Sequence, residues 1–221
     1  MGELLSQVRA RRLVLIGDIH DNQALHRKIL VFLESWARLP GTRNLFVEFL
    51  GLEDQGYLDR FNRGEISASA LIQANCNRWP DSWLRLEEFD PSFYRDLLRL
   101  CRSMGILLRP MEPIPRLPLE ARDTQMAKTL LQFRRKHPDA QIAVLVGHTH
   151  LLGKGHLVSL LQGRFGFPPE GKIPLLLPPP QGGSSGTGKD LLKRGNSYFL
   201  WNPGGWAKAS GLGGRSETKA R

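Results

Sequence analysis

Only two cysteines occur in the 221 residues, Cys76 and Cys101, and they lack metal-binding spacing. A disulfide framework is thereby excluded. No run of 18 or more apolar residues exists, so no membrane-spanning helix is expected. The amino-terminal stretch MGELLSQVRARR carries neither the apolar core of a signal peptide nor a cysteine for a lipid. A cytoplasmic protein without a membrane anchor is the simplest expectation. Acidic residues are scarce as well: 21 against 31 Lys and Arg, for a net charge of +10. Half of that excess lies in residues 1–12 and 208–221, with no aromatic-interleaved basic patch or nucleic-acid motif beside it. The basicity therefore reads as solvated surface, and no specific nucleic-acid partner is expected.

What is present is an alternation of short apolar runs with helical periodicity. Leu13–Gly17 reads as a strand and Asp21–Leu39 as a helix, through Leu25, Ile29, Leu30, Leu33, Trp36 and Leu39. Further strands are expected at 44–49, 105–111 and 142–147, with helices at 53–61, 67–74, 91–104, 119–136 and 151–161. This pattern predicts an α/β fold with a mostly parallel central sheet flanked by helices, and a cleft at the strand ends. Three regions follow: an α/β domain over 1–162, a Pro/Gly/Ser-rich loop or linker over 163–195, and a final strand with a basic tail over 196–221. A mobile lid is one reading of the middle region. Within it, GSSGTGKD (183–190) falls one residue short of a phosphate-binding loop, and prolines precede it where a buried strand is needed.

Two strand ends carry the same chemistry. Val14–His20 (VLIGDIH) and Val144–His150 (VLVGHTH) each run an apolar strand into Gly-x-x-His. In a parallel sheet, ligands bind outside the carboxyl ends of the strands. Asp18, His20 and Asp21 follow strand one, Glu48 ends strand two, Glu112 follows strand three, and His148 and His150 follow strand four. Side chains two apart in extended backbone share a face, so Asp18 with His20, and His148 with His150, are expected to converge. Imidazole and carboxylate together suit a divalent metal such as Mn or Zn, with Asp18, His20, Glu48, His148 and His150 as its candidate ligands. They equally suit acid/base hydrolysis. The structural alternatives are ordinary ones: Asp21 as the cap of the first helix, His137 as a helix-end residue, His26 as a surface residue.

A longer series of matches runs from Leu13 to Leu161. GDIHDNQALH (17–26), VEFLGLEDQGYLDRFNRGEIS (47–67), Trp79 or Trp83, Pro91–Tyr94 leading to MGILL (104–108), ARDTQMAKTL (121–130) and GHTHLLGKGHLVSLL (147–161) occur in order. This series resembles the ChaN-like haem-binding domain of the Tiki/TraB and erythromycin-esterase-like superfamily. Asp18 stands where that family usually has Glu. The resemblance implies a haem-binding protein, in iron or haem handling, with a homodimer as one arrangement. Tyr57, Tyr94, His26 and His156 are its candidate haem ligands. It maps His20, Glu48, Arg122 and His150 onto family motif positions; these are the candidate catalytic residues of the alternative, a metal-dependent hydrolase. Arg122 is either a clamp for a ligand anion or a salt bridge orienting Glu48 or Asp18. Gly17-Asp-Ile-His20 and Gly147-His-Thr-His150 also resemble the first and last blocks of calcineurin-like phosphoesterases, but the intervening blocks are missing, with no histidine between His26 and His137.

Overall fold

Strand β1 (Leu13–Asp18) is buried at every position. Its alternating side chains show why: Val14 and Ile16 enter one hydrophobic cluster, Leu13 and Leu15 another. Strand β4 (Gln141–Gly147) divides in the same way, Ala143 and Leu145 against Ile142, Val144 and Val146. A strand apolar on both faces has to be covered on both. In this computed structural model, which describes residues 1–113, 117–164, 173–178, 191–194 and 198–201, two helical layers do so. Helices α1 (Gly2–Arg11), α2 (Gln23–Ala37), α3 (Gln55–Asn62), α4 (Ala68–Arg78) and α5 (Pro91–Met104) supply the first cluster. Helix α6 (Leu119–Lys136) and α7 (Leu157–Ser159, continued as a wider turn to Arg164) supply the second.

The sheet contains β3 (Leu107–Glu112), β2 (Arg43–Gly51), β4, β1, β5 (Leu175–Leu177), β7 (Tyr198–Trp201) and β6 (Leu191–Arg194), in that order. Every pairing is parallel except that of β6 with β7. The chain leaves β1 for β2 on one side and β4 for β5 on the other, so the sheet switches direction at the central pair β1 and β4. A crevice outside the strand ends opens at such a switch point. Register places Asp18 opposite Gly147 and Gly17 opposite Val146.

Several local expectations change. The cap of α2 is Asn22 rather than Asp21: its side chain accepts the Leu25 amide at 3.0 Å. Helix α1 was not legible, because only Leu4 and Val8 of its ten residues are buried. The helix expected from residue 151 begins at Leu157, since Gly153 and Gly155 adopt φ of +95° and +84°. Residues 163–195 are not loop throughout. Leu175–Leu177 pairs with β1, Leu191–Arg194 forms β6, and Ile173–Pro178 is buried. The prolines at 174 and 178 bound that strand instead of interrupting it, and the Pro174 carbonyl accepts the Leu15 amide at 3.0 Å. The expected final strand lies at Tyr198–Trp201. The 183–190 motif and the tail after Trp201 lie outside the described residues.

Candidate functional site

Each twin glycine makes room for the other motif's histidine. A Cβ on Gly147 would lie 3.1 Å from His20 Nε2 and 3.3 Å from Glu48 Oε1; one on Gly17 would lie 3.1 Å from His148 Cβ. A side chain at either position would press the His20 ring or the His148 backbone away from its strand.

Around them, carboxylates and imidazoles alternate in one chain. His26 Nδ1 donates to Asp90 at 2.9 Å and its Nε2 to Asp18 Oδ1 at 3.0 Å; His20 Nδ1 donates to Asp18 Oδ2 at 2.9 Å. His20 Nε2 lies 3.6 Å from Glu48 Oε1. Glu48 continues to His150 Nε2 at 3.0 Å, His150 Nδ1 donates to Asp123 at 2.5 Å, and His156 Nδ1 donates to the other oxygen of Asp123 at 2.7 Å. Glu48 Oε1 also accepts the Gly147 amide at 2.5 Å. Arg122 closes the far side, reaching Glu112 at 2.7 and 2.8 Å and Glu48 at 3.3 Å. Arg122 is thus a clamp between two buried glutamates and does not touch Asp18 in this set of contacts.

Carboxylates only accept, so every imidazole nitrogen facing one carries a proton. His26 and His150 each face two carboxylates and are imidazolium. Burial disfavours charge on His150, but hydrogen bonds and charges from Asp123 and Glu48 outweigh it and raise its pKa to about 9. Burial is likewise overcome at His26, raised by Asp18 and Asp90. The same pairings, again against burial, hold Asp18 below its ordinary value through His20 and His26, and Glu48 through His150, His20 and the Gly147 amide. The other three histidines each hydrogen-bond through Nδ1, and His20 Nε2 also lies 3.6 Å from Glu48. His20 and His156 donate from Nδ1 to carboxylates and His148 from Nδ1 to the Asp18 carbonyl at 3.1 Å. The Nε2 atoms of His148 and His156 have no protein partner among the described residues.

Aromatic rings wall one side. The His20 ring lies 4.1 Å from Trp83 and 6.2 Å from Phe89, and His26 stacks on Phe93 at 3.9 Å.

The sequence model for the family described as haem-binding uptake, Tiki superfamily, ChaN, matches residues 4–112, just under half of the chain. A solved structure reported as cofacial haem binding to ChaN of Campylobacter jejuni superposes with a TM-score of 0.58 at 12% identity, over 90% of both chains. Over residues 4–112 the chain resembles the ChaN family, and it shares the fold of that solved structure. A second structure, that of the type III effector HopBA1, shares the fold at a TM-score of 0.52 and 15% identity, again over 90% of both chains. Comparison with curated protein sequences gives no match.

The fold brings His20, Glu48, Arg122 and His150 into the one network, with Asp18 beside them. His148 and His150 diverge, the first to the Asp18 carbonyl and the second to Glu48 and Asp123, because residues 148–151 form a 3-10 turn and not extended backbone. Among the described residues no group of three or more His, Cys, Asp or Glu is arranged to hold a metal ion. Of the Mn or Zn ligands expected from sequence, Asp18 faces His20 and His26, and Glu48 faces His150.

The four haem-ligand candidates separate. His26 is buried with both nitrogens engaged, which leaves none for iron. Tyr94 lies in the core against Phe49 and Phe93. Tyr57, in the helix that starts just beyond β2, is exposed with the Arg78 guanidinium 5.4 Å above its ring. His156 is 23% exposed and held only at Nδ1.

Sequence reasoning passed over Asp90 and Asp123. Asp90 before Pro91 looks like a helix cap, and it is one, at φ 49°. Asp123 carried a usable signal: it shares the buried face of α6 with Met126, Ala127 and Leu130, and a carboxylate there needs a partner.

Proposed function

We propose that this protein binds haem at the strand-end site and serves in haem or iron handling. The observation that carries the reading is the Asp123–His156 pair. A fully buried carboxylate fixes Nδ1 of a partly exposed imidazole, leaving Nε2 without a protein partner among the described residues. A second-shell carboxylate of this kind orients a histidine ligand and raises its basicity. His148, held at Nδ1 by a backbone carbonyl, offers a second such nitrogen. Tyr57 remains the tyrosine alternative, being exposed beside the strand ends. Haem, when bound, supplies an iron centre that takes a nitrogen or phenolate ligand. His156 or Tyr57 would hold the iron and Asp123 would orient His156, while Trp83 and Phe89 by His20 supply apolar rings on the network's other flank.

Absorption-monitored titration with haem tests this. Saturable, stoichiometric binding with a shifted Soret band is expected. His156→Ala or Tyr57→Phe, whichever removes the axial ligand, changes the band position, while Tyr94→Phe leaves it in place. An unshifted spectrum at stoichiometric protein refutes the reading.

A further inference from the structure

A cavity lies at the end of the sheet opposite this network, where β2, β3 and β4 begin and α6 ends. Its volume is about 600 Å³, and Asn44, Leu107, Arg109, Phe133, Lys136 and His137 line it. That is within the roughly 300–1,000 Å³ of small-molecule sites. None of these residues belongs to the imidazole–carboxylate network, so the cavity asks for its own explanation.

Arg109 is its central feature. The side chain is partly buried and fixed in two ways: Nε donates to the buried Asn44 at 3.1 Å, and the guanidinium lies 5.3 Å over the Phe133 ring. Phe133 is itself wedged, 5.1 Å from Phe46 on one side and 4.5 Å from His137 on the other. Among the described residues Arg109 has no carboxylate within ion-pairing distance, and its terminal nitrogens have no acceptor. Arginine in a partly buried setting ordinarily meets a carboxylate or phosphate, because its planar fork is built for two parallel hydrogen bonds. Burial lowers its pKa by more than the Asp59 charge raises it, an electrostatic cost that a bound anion relieves. The one acid on the wall, Asp139, is engaged by Arg12, which also donates to the Pro138 carbonyl at 3.2 Å. Arg109 and Lys136 therefore leave the cavity positive. Leu107 and the Phe133 and His137 rings add an apolar floor for a flat group.

We infer that this cavity binds a small organic anion, a planar ring bearing a carboxylate or phosphate, with the anion held by the Arg109 fork and the ring on the Phe133 side. The fixed guanidinium, the open fork and the adjoining apolar wall each recognise one part of such a ligand.

Calorimetric titration with adenosine monophosphate, 2-naphthoate, adenosine and inorganic phosphate tests it. Expected is binding of the nucleotide or the naphthoate with Kd of about 1 mM or tighter, at least about tenfold stronger than adenosine and inorganic phosphate. Which of the two binds distinguishes phosphate from carboxylate. Arg109→Gln is expected to weaken binding by about tenfold or more, and Arg109→Lys, which keeps the charge but loses the fork, by nearly as much. Lys136→Ala, at an exposed position that folding does not depend on, weakens it less. The haem titration of Arg109→Gln stays as in the wild type, which shows the variant folded and separates the two sites. No binding by either ring-bearing anion, or binding indifferent to both Arg109 substitutions, overturns the inference.

Discussion

Raising the pH through the His150 pKa should dismantle part of the fold's stability, by an amount that can be worked out. An unperturbed histidine titrates near 6.5; between Asp123 and Glu48 His150 titrates at about 9. A folded-state pKa above the unfolded one means the proton binds the native state more tightly. The stabilisation is fully present below about pH 6.5 and is lost as pH rises through about 9. At 1.36 kcal/mol per pKa unit, a shift of this size corresponds to about 3 kcal/mol. The depressed Glu48 titration reflects the same pairing and is not added to it. His150 is 3% exposed, so solvent screens little of this. The assay is urea unfolding of wild type and His150→Gln from pH 6 to pH 10. The variant leaves two buried carboxylates without their cation, so it should be less stable by about 3–5 kcal/mol at pH 6. That gap should close by about 3 kcal/mol by pH 10, as the wild type loses its own imidazolium. Taking the difference between the two proteins cancels titrations not coupled to His150, that of His26 among them. A gap that stays constant across the range would show that His150 is neutral in the folded protein, and the assignment of charge in the network would be wrong.

Other consequences can be checked by the same unfolding measurement. Gly147→Ala, whose new methyl meets His20 and Glu48 at 3.1 and 3.3 Å, should cost about 1–3 kcal/mol and disturb the His20 resonance in NMR spectra. An alanine here with wild-type stability and an unmoved His20 would contradict the close approach. Leu176→Ala should cost about 2–5 kcal/mol, because β5 is part of the core; a loss below about 0.5 kcal/mol would return the segment to loop. Asp54 accepts the Gly51 amide at 3.0 Å, Asn75 at 2.7 Å and Arg78 at 2.5 Å. Asp54→Ala should therefore cost about 3 kcal/mol or more, and Asp54→Asn less, since it retains an acceptor for two of those donors.

The sequence by itself determined the alternation of elements, the two-faced burial of β1 and β4, and the gathering of Asp18, His20, Glu48 and His150 at one rim. These follow from local rules: continuous apolar runs make strands buried on both faces, and parallel strands deliver their carboxyl ends to one side. The α6 boundaries, Leu119 to Lys136, were legible because apolar spacing and a basic last turn agree there. Long-range register was not legible. No local rule says that Gly147 lies opposite Asp18, that Asp123 on one helix completes His150, or that Asp90, 64 residues from His26, takes its second nitrogen. Nor does sequence spacing show that a 3-10 turn sends His148 and His150 apart, or that three leucines between prolines find an open sheet edge beside β1. Residue types and their periodicity fixed which groups are available for chemistry. Tertiary structure decided which two groups share each proton, because a hydrogen bond depends on a few tenths of an ångström between chain segments that only the packed sheet brings together.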